Sequence, residues 1–203
     1  GACDSVVDIS QGLGAAMAQH QQQNGTTEPL VPLGTTGRLR VDGQVGDWQV
    51  VGYLERCDVP APGSDDEVTF WREYLLYHRQ RGFAFLVDAE DGWSVVRPIT
   101  GVPAKRARGG VLLRDIKYRL TYSYQAQTTH VLGEFYWRVK AGQRDQVSDY
   151  VGEGTHHHRR LSCEASGGEI TWSQGQTLTA DEVMKAFGLT DRARATFERD
   201  VKP

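Results

Sequence analysis

Three consecutive histidines, His156-His157-His158, followed by Arg159-Arg160, are the most conspicuous cluster of ligand-type and charged side chains in the chain. Imidazoles bind zinc or nickel, but adjacent residues of a strand project to opposite faces, so one ion would recruit at most two of the three. A further ligand would have to come from His130, Asp149 or Glu153. The simpler reading is a polar hairpin tip between Tyr150 and Leu161. Carboxylates for acid–base work are available in Asp88, Glu90, Asp91, Glu164 and Glu169. The first three fall in a hairpin turn, where Asp is favoured for local backbone bonding. Glu73 and Glu134 each accompany an aromatic Trp-Arg segment and read as ion partners for Arg72 and Arg138. No nucleophile–base pair accompanies them.

Two further charge clusters lie in segments that read as loops. Residues 58–67 are acidic and carry Asp65-Asp66, whereas residues 101–110 are basic and carry Lys105-Arg106-Ala107-Arg108. Three positive charges in isolation give little selectivity for phosphate. The chain contains no Gly-x-x-x-x-Gly-Lys phosphate loop, no Gly-x-Ser-x-Gly elbow and no His-Glu-x-x-His pair.

The elements that would carry these groups are mostly strands. Residues 10–23 place Leu13, Ala16, Met17 and His20 at helical spacing behind Ser10, and a polar linker follows to Pro29. From Gly37 the alternation has period two: Leu39 and Val41, then Trp48, Val50, Gly52 and Leu54. Residues 70–77 and 83–87 continue it, and Asp91-Gly92 before Trp93 marks a tight hairpin. The same cadence returns in 118–124, in 135–139 and around Trp172. Phe135-Tyr136-Trp137-Arg138-Val139 answers Phe70-Trp71-Arg72-Glu73-Tyr74, which reads as an internal repeat. Trp71 with Trp137, and Trp93 with Trp172, are then expected as paired, buried core residues. Thr179 and Glu182 have capping-box spacing, with Val183, Met184 and Phe187 on one face and Gly188 as the stop.

The predicted architecture is mainly β: an internally duplicated antiparallel domain with an N-terminal helix and linker and a C-terminal helical cap. Residues 1–30 form the tail, 31–100 the first repeat, 101–178 the second, and 179–203 helices packed on the second repeat. With 203 residues, 23 Lys plus Arg and 26 Asp plus Glu, the net charge is −3. That balance argues against a nucleic-acid binder. Apolar stretches are too short for a membrane-spanning helix, and the opening Gly1-Ala2-Cys3-Asp4 lacks the pattern of a signal peptide. Cys3, Cys57 and Cys163 make no disulfide framework. A cytoplasmic location with reduced, structural thiols is expected.

Several blocks in order resemble a bacterial domain-of-unknown-function family, number 4178, over about residues 33–189. They are Trp71-Arg72-Glu73-Tyr74-Leu75-Leu76-Tyr77, Gly82-Phe83-Ala84-Phe85-Leu86-Val87, Gly92-Trp93-Ser94-Val95-Val96-Arg97-Pro98 and Gly133-Glu134-Phe135-Tyr136-Trp137-Arg138. Val147-Ser148-Asp149-Tyr150-Val151, Glu169-Ile170-Thr171-Trp172-Ser173 and the segment from Glu182 to Phe187 agree as well. The resemblance implies a zinc ribbon upstream, of which Cys3 to Ser10 resembles the tail. One cysteine stands where four ligands are needed, so no metal or other cofactor is expected in this chain, and Cys3 is a ligand only in a longer one. The resemblance implies, by association alone, a cytosolic component of a membrane-stress or polyamine-linked bacterial system.

Two functions follow as expectations. The first is a non-catalytic binding or scaffold module for a protein partner, itself membrane-associated, with no nucleic acid bound and no insertion into the bilayer. Its contacts would be His156, His157, His158, Arg159 and Arg160, Asp65 and Asp66, and Lys105, Arg106 and Arg108. The alternative is an enzyme or sensor for a small cationic, polyamine-like ligand, held in an acidic groove floored by Trp or Tyr. A deep pocket with converging carboxylates and aromatics favours the second, and a shallow apolar surface the first.

Overall fold

Alternating Arg38-Leu39-Arg40-Val41 forms β1 (Thr36–Val41), which turns through Asp42 and Gly43 into the long β2 (Gln44–Asp58). Both turn residues have positive φ, 51° and 77°, the hairpin conformation that Asp-Gly pairs favour. The computed structural model describes residues 28–61, 63–64 and 67–189. Cys3, the helix expected at 10–23, Asp65, Asp66 and a second C-terminal helix expected at 191–199 all lie outside the described residues.

After β2 come β3 (Phe70–His78), β4 (Gly82–Ala89) and β5 (Gly92–Ile99), then the short β6 (Ala104–Lys105) and β7 (Val111–Leu113). The second long strand, β8 (Ile116–Gly133), leads into β9 (Arg144–Gly152), β10 (Arg159–Ser166) and β11 (Glu169–Leu178), and α1 (Ala180–Ala186) follows. Every pairing is antiparallel. The sheet runs β2-β3-β4-β5-β11-β10-β9-β8, and β8 pairs back onto β2 from Gly52–Gly133 to Asp58–Ala126. That last ladder closes an eight-stranded barrel, with β1 as a flap at one end of the order and β6–β7 at the other.

Both halves run through the same order: a short strand, a tight turn, a long strand, then three more. The correspondence differs from the one expected. Residues 135–139 are not a strand but part of the connection after β8, and β9 stands where the repeat reading placed them.

Burial is reversed from that of a filled barrel. On β4 and β5 the outward side chains Ala84, Leu86, Trp93 and Val95 are buried, while the inward Phe85, Val87, Ser94 and Val96 keep partial exposure. The outer face of β2–β5 is covered by residues 30–33, β1 and α1, making a core that includes Trp48, Tyr53, Tyr74, Leu86, Trp93, Met184 and Phe187. Val111, Tyr118, Tyr150, Leu161 and Trp172 form a second cluster outside β8–β11. The helix thus packs on the first half, against β1 and β5, and not on the second repeat as expected. The reason is local: β11 ends beside Trp93 in register with Leu178, so the chain emerges over the first-half core. Of the four paired tryptophans, Trp93 and Trp172 are buried, whereas Trp71 and Trp137 are partly exposed and line the interior.

A polar network lies on the same outer face, buried except at Arg72. Tyr53 Oη donates to Glu55 Oε1 at 2.7 Å, and Arg72 Nη1 donates to Asp88 Oδ2 at 3.3 Å. Burial pushes the Tyr53 and Tyr74 hydroxyls up, and the Cys57 thiol up to about 12, so this face holds inert groups rather than reactive ones.

Candidate functional site

Side chains alternate across a strand, so each barrel strand sends every second residue inward. From β9 these are Asp145, Val147 and Asp149; from β10, Ser162, Glu164 and Ser166; from β11, Thr171 and Ser173. An eight-stranded barrel is just wide enough for side chains to fill or for one small ligand to occupy. Here serine and threonine take positions that Leu or Phe would need to fill, and a cavity of about 1020 Å³ results.

Arg56, inward from β2, is 5% exposed and is gripped by three carboxylates. Its Nη1 donates to Glu164 Oε2 at 2.6 Å and lies 3.4 Å from Glu73 Oε1, and its Nη2 donates to Asp145 Oδ2 at 3.0 Å. Trp71 Nε1 donates to the same Glu73 oxygen at 2.7 Å, and the guanidinium carbon sits 5.9 Å from the Trp71 ring centre. Gln143 Nε2 bridges Asp145 and Ser166. Burial opposes the Arg56 charge, but Glu73, Glu164 and Asp145 outweigh it and hold the guanidinium firmly protonated.

Asp149 stands beside this cluster and accepts a hydrogen bond from Tyr124 Oη at 2.8 Å. Burial lifts its carboxyl to about 6. The Tyr124 bond and Arg56 oppose that shift, while Glu73 and Asp91 add to it. Glu164 is raised as well, first by burial and then by Glu73 and Asp145, against the pull of Arg56. Both carboxyls are thus raised chiefly by burial, with neighbouring carboxylates adding to the shift and Arg56 opposing it. Eight acidic residues and three arginines line the cavity. With all of them ionised its wall is more negative than the whole chain at −3, so the excess is concentrated here.

Aromatic groups complete the lining. The connection after β8 folds back so that Tyr136 stacks on Phe83 at 4.3 Å between ring centres and Trp137 meets Phe85 edge-on at 5.7 Å. Trp71 meets Tyr124 edge-on at 5.6 Å.

The expected surface residues fall elsewhere. His156, His157 and His158 occupy the turn between β9 and β10, with His157 and His158 exposed. The further ligands proposed for them disperse: Asp149 lies in the cavity, His130 is against Tyr53, and Glu153 accepts from Arg106 Nη1 at 2.9 Å. That Arg106–Glu153 bond ties the basic loop to the histidine turn. Lys105 and Arg108 are exposed, and Arg159 begins β10. Among the described members of this set, Arg160 alone lines the cavity, 3.7 Å from Asp91. Glu73 does not pair with Arg72, because neighbours in a strand face opposite ways: Glu73 looks inward to Arg56 and Arg72 outward to Asp88. Glu134 and Arg138 are both exposed. No group of three or more His, Cys, Asp or Glu side chains among the described residues is arranged to hold a metal.

Sequence reasoning did not single out Arg56, Asp145 or Tyr124, and placed Asp149 and Glu164 in other roles. The available signal was spacing. Ser162-x-Glu164-x-Ser166 puts polar groups on one face of a strand whose other face is apolar, and Asp145-x-Val147-x-Asp149 and Tyr122-x-Tyr124 put carboxylates and aromatic rings on one face of theirs.

A family model described as "Domain of unknown function (DUF4178)" matches residues 35–180. No curated protein and no solved structure matches the chain.

Proposed function

The chain belongs to the DUF4178 family, and we propose that it is a small-molecule binding protein whose barrel interior takes an organic cation, an ammonium or guanidinium compound. The observation that carries this reading is the imbalance inside the cavity: Glu73, Asp145, Asp149 and Glu164 converge around Arg56, and eight acidic residues face three arginines along the described lining. A cation entering beside Asp149 and Glu164 offsets the repulsion that each receives from Glu73 and gains charge-assisted hydrogen bonds in a site shielded from bulk water. Trp71 and Tyr124 add ring faces for cation–π contact. The reading is one of binding rather than turnover, because the lining combines acids and aromatics without a nucleophile activated by a base.

Isothermal titration calorimetry tests it with three ligands of equal length and different charge: hexylamine, hexanol and hexanoate. Saturable binding of the amine, at least tenfold tighter than either other compound and weakened by Asp149→Asn or Glu164→Gln, is the expected result. Equal binding of all three, or of none, would refute the cation reading.

A further inference from the structure

The cavity walls are not alike. On the β9–β10 side the inward groups are Asp145, Asp149, Ser162 and Glu164. On the β4–β5 side they are mostly apolar, Phe85, Val87 and Val96 joined by Pro98, with Ser94 the one hydroxyl, and Trp137 packs onto Phe85. These apolar side chains are the ones left partly exposed while their outward neighbours are buried, so they present unused apolar surface to the cavity. Arg138, next to Trp137, also lines the cavity and adds positive charge on the aromatic side. Glu90 and Asp91 lie in the exposed turn beyond the apolar wall, with Asp91 facing Arg160.

From this division we infer that the ligand is an amphipathic cation: one ammonium or guanidinium head on an apolar body, rather than a polyamine charged at both ends. The inference rests on the cation reading above and adds the ligand class. The head meets Asp149 and Glu164; the body lies along Phe85, Val87 and Val96 under Trp137. A second ammonium at the far end would have to shed its water against Phe85 and Val96 with the positive Arg138 near by, and the acceptors flanking Val87 are Ser94 and Glu73, of which Glu73 is already held by Arg56 and Trp71. An apolar tail gains instead from every methylene removed from water.

Calorimetry with hexylamine and 1,6-diaminohexane separates the two classes at constant chain length, and butylamine, hexylamine and octylamine measure the tail. Hexylamine is expected to bind at least tenfold more tightly than the diamine, and affinity to rise up to about fourfold per added methylene. Val87→Thr and Val96→Thr keep side-chain volume while adding a hydroxyl, and each should narrow the preference for hexylamine without lowering the melting temperature by more than a few degrees. Tighter or equal binding of the diamine, with both amines bound, overturns this inference and leaves the cation reading standing. Failure of both amines to bind overturns the two together. A hexylamine preference unmoved by either variant overturns the assignment of the body to the β4–β5 wall.

Discussion

Tyr124 donates its hydroxyl to Asp149 at 2.8 Å inside the barrel, on neighbouring strands where Asp149 is in register with Tyr122 and Tyr124 with Val147. The bond runs diagonally across the ladder, within reach of a long aromatic side chain. It favours the ionised carboxylate, yet burial dominates and the carboxyl rises to about 6. Asp149 therefore changes charge near pH 6 rather than in the ordinary carboxylate range.

The consequence for stability has a definite sign. The folded value is raised above the unfolded value of about 3.9, so the native state binds more protons between those limits. Stability should fall as pH rises from about 4 through 6, by up to on the order of 3 kcal/mol for this one group. Thermal melts at pH 5 and 7.5 check it: Asp149→Asn should shrink the difference and melt higher than the native protein at pH 7.5.

Cation binding should show the opposite dependence. An ammonium next to Asp149 favours the carboxylate, so affinity for hexylamine should increase as pH rises through about 6. Calorimetry in two buffers of different ionisation enthalpy at pH 6 should detect proton release on binding. In Asp149→Asn most of that release should disappear.

Arg56 is the keystone of the interior. Replacing it with Met leaves Glu73, Asp145 and Glu164 without their shared cation and should cost about 3–5 kcal/mol in urea unfolding. Adding Asp145→Asn and Glu164→Gln to Arg56→Met should recover a large part of that loss, because the uncompensated charges are then gone. Arg56→Lys should fall between, since an ammonium cannot span the three acceptors as the guanidinium fork does.

Gly175 on β11 lies so close to β5 that a Cβ there would overlap the Val95 carbonyl oxygen. Gly175→Ala should force apart the ladder that joins the two halves and destabilise by more than about 3 kcal/mol. Ser173→Ala, two residues earlier on the same face, should be near neutral. Equal melting temperatures for the two variants would contradict the barrel seam.

Helix α1 starts on a complete capping box: Thr179 Oγ1 accepts from Glu182 N at 3.2 Å, and Glu182 Oε2 accepts from Thr179 N at 2.7 Å. Thr179→Ala should cost about 1 kcal/mol in a denaturant melt. Its effect should reach the Trp93 environment, because the helix covers that core.

The fold class, the Asp91-Gly92 hairpin, the capping box and the Gly188 stop were legible because each is a local pattern with a local cause. The cavity was not, for a reason visible in β10. Leu161, Cys163 and Ala165 alternate with Ser162, Glu164 and Ser166, which reads as a core face and a solvent face. Barrel closure through β2 and β8 turns that polar face inward, and closure is a pairing between residues 68 to 81 positions apart that no local period encodes. The Trp71 and Trp137 rings were expected in a packed core for the same reason. A face rich in aromatics looks alike in sequence whether it is filled by neighbours or left open for a ligand.

The most direct test of the central claim is an experimental structure of the protein with 4-phenylbutylamine. The ammonium nitrogen should lie within hydrogen-bonding distance of Asp149 or Glu164 inside the barrel, with the phenyl ring against Phe85 and Val96. Density for the amine on the outer surface only, with the interior carboxylates still bound to Arg56 and Tyr124 alone, would contradict it.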